Sequence, residues 1–324
     1  MLSRVRALGG FLLAAILSVP AWGANSPLPG TINYIEGQAE IGASALKSSS
    51  AGSAELEAGQ TLTTKNGNVE LLLTPGVFLR VGDNSSLQMV SPSLANTQVR
   101  LDSGQAMVEV DEIHKSNDIR VLQDGASTQL MKKGLYDFDA TQEQVRVFKG
   151  QAVVRDGDQK VKVGGGHELT LNATGKLKAN KFDQKQAKTA SLYRFSQLRS
   201  DYLADASASA AEQYAFNGWY GPAWYGPGWF WNPWFSGFTF LPGSGILYSP
   251  FGYGFYSPLY ISQSPAYWYR GSLAHQPKLA MGHAPVVRPP ASGFHAPMAR
   301  MAAPMSHSVG GFGGGIHAGG AIRH

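Results

Sequence analysis

Cysteine is absent from all 324 residues. That removes disulfide bridges, thiolate-bound zinc, a thiol nucleophile and a lipid-modified N-terminal cysteine from consideration. Charge is also scarce: Asp, Glu, Lys and Arg make up 15% of the chain, against roughly 25% in an ordinary soluble domain. The last carboxylate is Glu212, and the basic residues near the C-terminus (Arg270, Lys278, Arg288, Arg300 and Arg323) have no acidic neighbour in sequence. The formal charge of +5 is therefore a property of the tail. It marks no basic domain that would bind nucleic acid, so no nucleic-acid partner is expected. Long apolar runs are missing beyond the N-terminus, where Gly10 to Val19 is too short for a comfortable bilayer span.

That N-terminal run has the organisation of an export signal. Arg4 and Arg6 precede it, Pro20 follows it, and Ala21-Trp22-Gly23 places small residues at a cleavage site after Gly23. Residues 1–23 are thus expected to be a signal peptide. The mature chain is expected in the periplasm, at the outer membrane or outside the cell, held together by packing alone.

Residues 31–173 carry the alternation of half-buried strands. The central stretch is Val99–Val110 (VRLDSGQAMVEV): Val99 and Leu101 alternate before Ser103-Gly104, and Ala106, Val108 and Val110 after it. This pattern predicts two strands meeting at a tight turn or bulge. The same Gly-Gln mark occurs at Gly37, Gly59, Gly104 and Gly150, the last three about 45 residues apart, and is read as turn glycines of a repeated β unit. Lys65-Asn66-Gly67-Asn68 and Asp156-Gly157-Asp158 also have turn chemistry, which would separate Thr61–Thr64 from Val69–Leu73.

Several of these stretches resemble the FecR domain: Val69–Arg80 (VELLLTPGVFLR), Val99–Val110, Lys133–Phe138 (KGLYDF) and Val145–Val154 (VRVFKGQAVV). The chain departs from the family pattern at Leu135-Tyr136 and at Pro75. The resemblance implies a mainly β fold, a FecR-like β-sandwich or β-roll of short antiparallel strands, in which the motif positions are structural glycines and apolar residues. It also implies a link to regulators that relay outer-membrane ferric-siderophore signals to an iron-responsive sigma factor. That relay needs a cytoplasmic segment ahead of an anchor, and only three residues precede Arg4 here. A periplasmic sensing role is the form of it expected for this chain.

Residues 182–214 space Leu192, Phe195, Leu198, Tyr202 and Leu203 at three to four positions and predict one amphipathic helix. Residues 215–270 follow, an uncharged, largely irregular segment rich in Trp, Tyr, Gly and Pro. There Trp219-Tyr220-Gly221-Pro222 is nearly repeated by Trp224-Tyr225-Gly226-Pro227. Rings at this density must pack on the β-domain, on one another, on a membrane interface or on a partner. Trp219, Trp224, Trp229, Trp231 and Trp234 are accordingly the candidate contacts for a partner. Residues 271–324 are a Gly/Ala/His/Pro-rich basic tail whose composition predicts disorder.

No catalytic constellation emerges. His114 and His167 lie in polar loops, Gly164-Gly165-Gly166 lacks the ending of a phosphate loop, and the tail histidines are too widely spaced for a metal site. No enzyme activity, cofactor or metal is expected. The leading expectation is a non-catalytic exported binding or scaffold module at the cell envelope. Its alternatives are periplasmic sensing, and cell-wall or polysaccharide binding through the aromatic segment. Its partner would be an envelope protein or a glycan, with peripheral membrane contact and self-association as further routes.

Overall fold

The computed structural model describes residues 27–171, 175–216 and 226–264. The expected signal segment, the tail, Trp219 and Trp224 lie outside them. In chain order the first strands are β1 (Ile32–Ile41), β2 (Ser44–Ala45), β3 (Thr61–Leu72), β4 (Val77–Val81), β5 (Ser86–Ser93) and β6 (Asn96–Ser103). Next come β7 (Gln105–Val110), β8 (Asp118–Gln123), β9 (Ala126–Leu130), β10 (Gly134–Asp139), β11 (Gln144–Lys149) and β12 (Gln151–Asp156). Then follow β13 (Gln159–Gly164), β14 (His167–Thr170), β15 (Asn180–Lys181), helix α1 (Gln184–Ala187) and helix α2 (Ser191–Phe216). Hairpins β16 (Gly228–Asn232) with β17 (Gly237–Leu241), and β18 (Ile246–Tyr248) with β19 (Gly254–Tyr256), precede helix α3 (Pro258–Gln263). The protein is mainly β, as its alternation predicts.

One pairing path links β13-β12-β9-β8-β6-β5-β3-β4-β7-β10-β11-β14-β15, with β1 laid along β3. β3 divides the path: Thr61–Thr63 pair with β5, whereas Val69–Leu72 pair with β4. The two halves fold face to face as a β-roll. Leu87, Val99, Val121 and Val154 from the first half join Leu79, Val108, Tyr136 and Val145 from the second in one buried cluster. Nearly all pairs are antiparallel; β6 and β8 run parallel, Asn96 opposite Asp118.

One turn expectation is corrected. Lys65–Asn68 is not a turn, because β3 runs straight through it for 12 residues. Gly67 sits opposite Gly37 of β1, where the register shifts between Gly37 and Ala39. Gly37 has φ 73°, and a side chain there would come within 2.0 Å of the Asn66 carbonyl. The two glycine sites form one matched bulge, so both strands bend together instead of reversing.

β6 and β7 meet at Ser103-Gly104, as the alternation predicts, but they do not pair with each other. β6 joins β5 and β8, whereas β7 joins β4 and β10. Gly104, with φ 77°, is a corner that carries the chain from one layer to the other. Gly150 does the same between β11 and β12, with φ 96°. A Cβ on Gly104 would fall 2.6 Å from Ser85 Cα, and one on Gly150 2.8 Å from the Lys133 carbonyl oxygen. Gly59 shares the positive φ, at 82°, but has open space around it just ahead of β3. Two of the four Gly-Gln marks, at Gly104 and Gly150, are therefore layer crossings, and the stretches between successive marks hold different numbers of strands.

Helix α2 covers the outer face of the second layer. Its buried stripe (Leu192, Phe195, Leu203, Ala206, Ala210) recurs at helical spacing. Leu192 and Phe195 pack on Met107, Leu135 and Phe148, and Leu203 packs on Leu72 and Phe78 together with Phe238, Phe240 and Phe255. The aromatic segment thus has a fold of its own: its two hairpins grip the helix. Asn232 Nδ2 and Thr239 Oγ1 donate to the carbonyls of Ala206 and Leu203, and the Tyr256 N–H donates to Ser207 Oγ. Asn33 of β1 pairs with Phe238 as a strand backbone would, donating to its carbonyl at 3.0 Å and accepting from its N–H at 2.7 Å.

Candidate functional site

Direct cross-strand partners project to the same face of a sheet. The registers of the second layer therefore put Glu70, Arg80, Met107, Asp137, Arg146 and Glu168 in one transverse row on its outer face. Five of the six are charged. The row has a closed end beneath α2 and an open end beside α1.

At the closed end, Arg80 is fully buried between two carboxylates. Its Nε donates to Glu70 Oε2 at 2.8 Å and its Nη1 to Glu109 Oε2 at 2.5 Å. Helix α2 completes the set: Arg199 Nη2 donates to Glu70 Oε1 at 2.9 Å, and Ser200 Oγ to Glu109 Oε1 at 2.6 Å. Asn33 Nδ2 gives Glu70 another hydrogen bond at 2.9 Å. The Arg199 guanidinium lies 4.1 Å from the Tyr34 ring centre and 5.0 Å from that of Tyr202. Burial alone would push the Glu70 carboxyl up, but Arg199 and Arg80 hold it down at about 2. Asp111, one residue past β7, is buried, and among the described residues neither of its carboxylate oxygens is hydrogen-bonded. Burial, reinforced by Glu109, raises its pKa well above the usual carboxylate value. The Lys133 and Lys149 ammonium groups donate to the carbonyls of Tyr248 and Pro250, fastening the β18–β19 loop over this end.

The open end lines a groove of about 350 Å³ between the sheet, α1 and the start of α2. Arg146 donates to Asp137 Oδ2 and Glu168 Oε2, both at 3.2 Å, and also to Gln142 and Gln144. Burial pushes Asp137 up to about 6, Arg146 offsetting only part of that cost. Met107, Phe148 and Leu192 supply an apolar wall. Asp183 caps α1, accepting from the N–H groups of Lys185 and Gln186.

The three described candidate tryptophans occupy different settings. Trp229 is wedged edge-on between Phe78 and Phe240, at 5.0 and 6.0 Å. Trp231 stands over Gly52 and meets Phe238 at 5.1 Å. Trp234, in the β16–β17 turn, is 82% exposed. Its neighbour Phe235 packs on Tyr202 at 5.0 Å and accepts that residue's hydroxyl hydrogen bond. One turn earlier on α2, Leu198 is 67% exposed. Trp234 is thus next in sequence to one partner of the Tyr202–Phe235 contact and Leu198 one helical turn from the other, both exposed. None of the charged row was foreseen from the sequence. The available signal was Val77–Val81 (VFLRV), an unbroken apolar run around Arg80, which is how a strand buried on both faces reads.

The FecR protein family model matches residues 60–154, from just ahead of β3 into β12. No curated protein matches the chain. Two crystal structures of a "putative anti-sigma factor" from Parabacteroides distasonis ATCC 8503 are similar to it. Each has 14% identity and a TM-score of 0.34, covering 39% of this chain and 61% of that one. The chain therefore spans less than two thirds of that protein's length.

Proposed function

We propose, on the premise that residues 60–154 form a FecR domain, that the chain is a non-catalytic sensing or regulatory protein acting at the cell envelope by binding a partner. The family match carries this reading, because resemblance to FecR implies signal relay rather than chemical turnover. The geometry supports it. α2 is fixed to the β-roll by the buried Arg199–Glu70 ion pair and the β16–β17 hairpin by Asn33, and they present Trp234, Leu198 and Tyr202 outward. Exposed large apolar residues on a rigid support are the usual mark of an interaction surface. Among the described residues no helix is long and apolar enough to cross a membrane.

The test compares, in the native host, loss of the chain with a Leu198→Ala/Tyr202→Ala/Trp234→Ala variant. Both are expected to change the transcripts of the same set of genes, with the variant protein still abundant. Unchanged transcription in both strains would sink the regulatory reading and leave envelope scaffolding in its place. Fractionation with intact mass addresses the compartment: a mass lacking residues 1–23 in the periplasmic or outer-membrane fraction is expected, and a full-length inner-membrane species overturns that placement. The open ring of Trp234 also suits a sugar face. Retention on insoluble peptidoglycan that is lost in Trp234→Ala would move glycan binding to first place.

A further inference from the structure

The two ends of the charged row differ in one respect that points to a ligand. At the closed end, Glu70 faces two guanidinium groups: Arg80 across the sheet and Arg199 from α2, the latter stacked on Tyr34. At the open end, Asp137 has only Arg146, whose guanidinium is divided among four acceptors. Asp137 is 8% exposed and lines the groove. Its single side-chain hydrogen bond among the described residues goes to Oδ2, which leaves Oδ1 without one.

We propose that this groove binds an organic cation, an amine or guanidinium on a short apolar stem, whose charge takes the place at Asp137 that Arg199 takes at Glu70. The wall suits such a stem. Phe148 lies edge-on to Phe182 at 5.2 Å and tilted against Tyr193 at 5.1 Å, with Met107 and Leu192 beside them. Aromatic faces next to a carboxylate favour a cation over a neutral guest. The remaining charges agree. Glu168 on β14 and Asp183 ahead of α1 face the groove with Asp137, against Arg146 on β11 and Lys181 on β15. Lys181 is exposed at the rim, where water screens it. Asp139, two residues along the same strand and so on the same face as Asp137, adds a further negative charge. A volume of about 350 Å³ is at the small end of ligand pockets, which run from about 300 Å³ upward. The proposal goes beyond the sensing role by giving a chemical class, and its test uses purified protein alone. Failure of the groove and failure of the role in the host are therefore separate results.

Isothermal titration of the full chain with phenethylamine, with the capped peptide N-acetyl-Gly-Arg-Gly-amide and with neutral 2-phenylethanol tests it. At least one cation is expected to saturate the site, with the alcohol about tenfold weaker or worse. Affinity for that cation falls about tenfold between about pH 7.5 and about pH 5, as Asp137 takes up a proton. Asp137→Asn, checked for cooperative unfolding, abolishes both the preference for charge and the pH dependence, and Glu168→Gln weakens binding severalfold. Binding of the free amine alone assigns the site to a small molecule, and binding of the capped peptide assigns it to a partner's side chain. The proposal is overturned if neither cation saturates, if the alcohol binds as tightly, or if cation affinity is independent of pH. Should Asp137→Asn fail to fold, the pH comparison on the parent chain and Glu168→Gln still decide.

Discussion

Glu70 and Asp137 lie in the same row of the same sheet face, both buried and both opposite an arginine, yet they titrate in opposite directions. Glu70 is held at about 2 and Asp137 is raised to about 6. Burial acts on both alike. What differs is supply: Glu70 accepts from Arg80, Arg199 and Asn33 at 2.8–2.9 Å, whereas among the described residues Asp137 accepts from Arg146 alone, at 3.2 Å. A buried carboxylate is stable only when its hydrogen-bonding capacity is met. α2 meets it at one end of the row and stops short of the other.

Three measurements would break or sharpen this contrast. The largest effect is expected from Arg80→Met, which strands Glu70 and Glu109 beneath α2. Losing one partner of a buried pair costs about 3–5 kcal/mol, read as a lower urea midpoint, and a loss under about 1 kcal/mol would mean the closed end is wet. The second effect has the opposite sign. Asp137, held above its ordinary value of 3.8, contributes stability that is present below that value and lost as pH rises through about 6. Asp137→Asn should therefore be more stable than the parent by about 1–3 kcal/mol near pH 8 and no different near pH 4. Glu70, held below its ordinary value of 4.5, gives the reverse slope: its contribution is full above that value and lost as pH falls toward about 2. Thermal melts across this range separate the two. The smallest effect is that of Glu168→Gln, whose pairing with Arg146 is partly exposed on both sides and should be worth less than about 1 kcal/mol. A larger loss would mean the open end is as tightly built as the closed one.

Much of the β-roll was legible because its inner face is made of alternating residues close together in sequence. Val99 and Leu101, then Ala106, Val108 and Val110, point inward as their spacing predicts. The outer face was not legible. In β7, Met107 and Glu109 occupy the positions that alternation assigns to water, and both are buried because a helix more than 80 residues downstream covers them. Nothing local to β7 records that cover. The Lys65–Asn68 turn expectation failed for a related reason: Asn66-Gly67 has the chemistry of a reversal, but Gly37 opposite it converts the same flexibility into a shared bulge. In the aromatic segment, composition announced that the rings must pack. It could not separate Trp229, locked between two phenylalanines, from Trp234 in the open turn.

The cover over the closed end also sets an order of events. The Asn33 contact with Phe238 spans 205 positions, and the Glu70 contact with Arg199 spans 129. Contacts so distant in sequence close late, since the loop entropy must be overcome before they form. Until the chain has been made past the β18–β19 loop, the strands of the second layer have their outer face uncovered. A bare row of Leu and Phe in that position would invite aggregation. Because Glu70, Arg80 and Glu109 are interspersed with Leu72, Phe78 and Leu135 there, water can solvate part of the exposed face until Arg199 and Ser200 arrive. The same charges that burden the finished fold break up the apolar face of its half-made form.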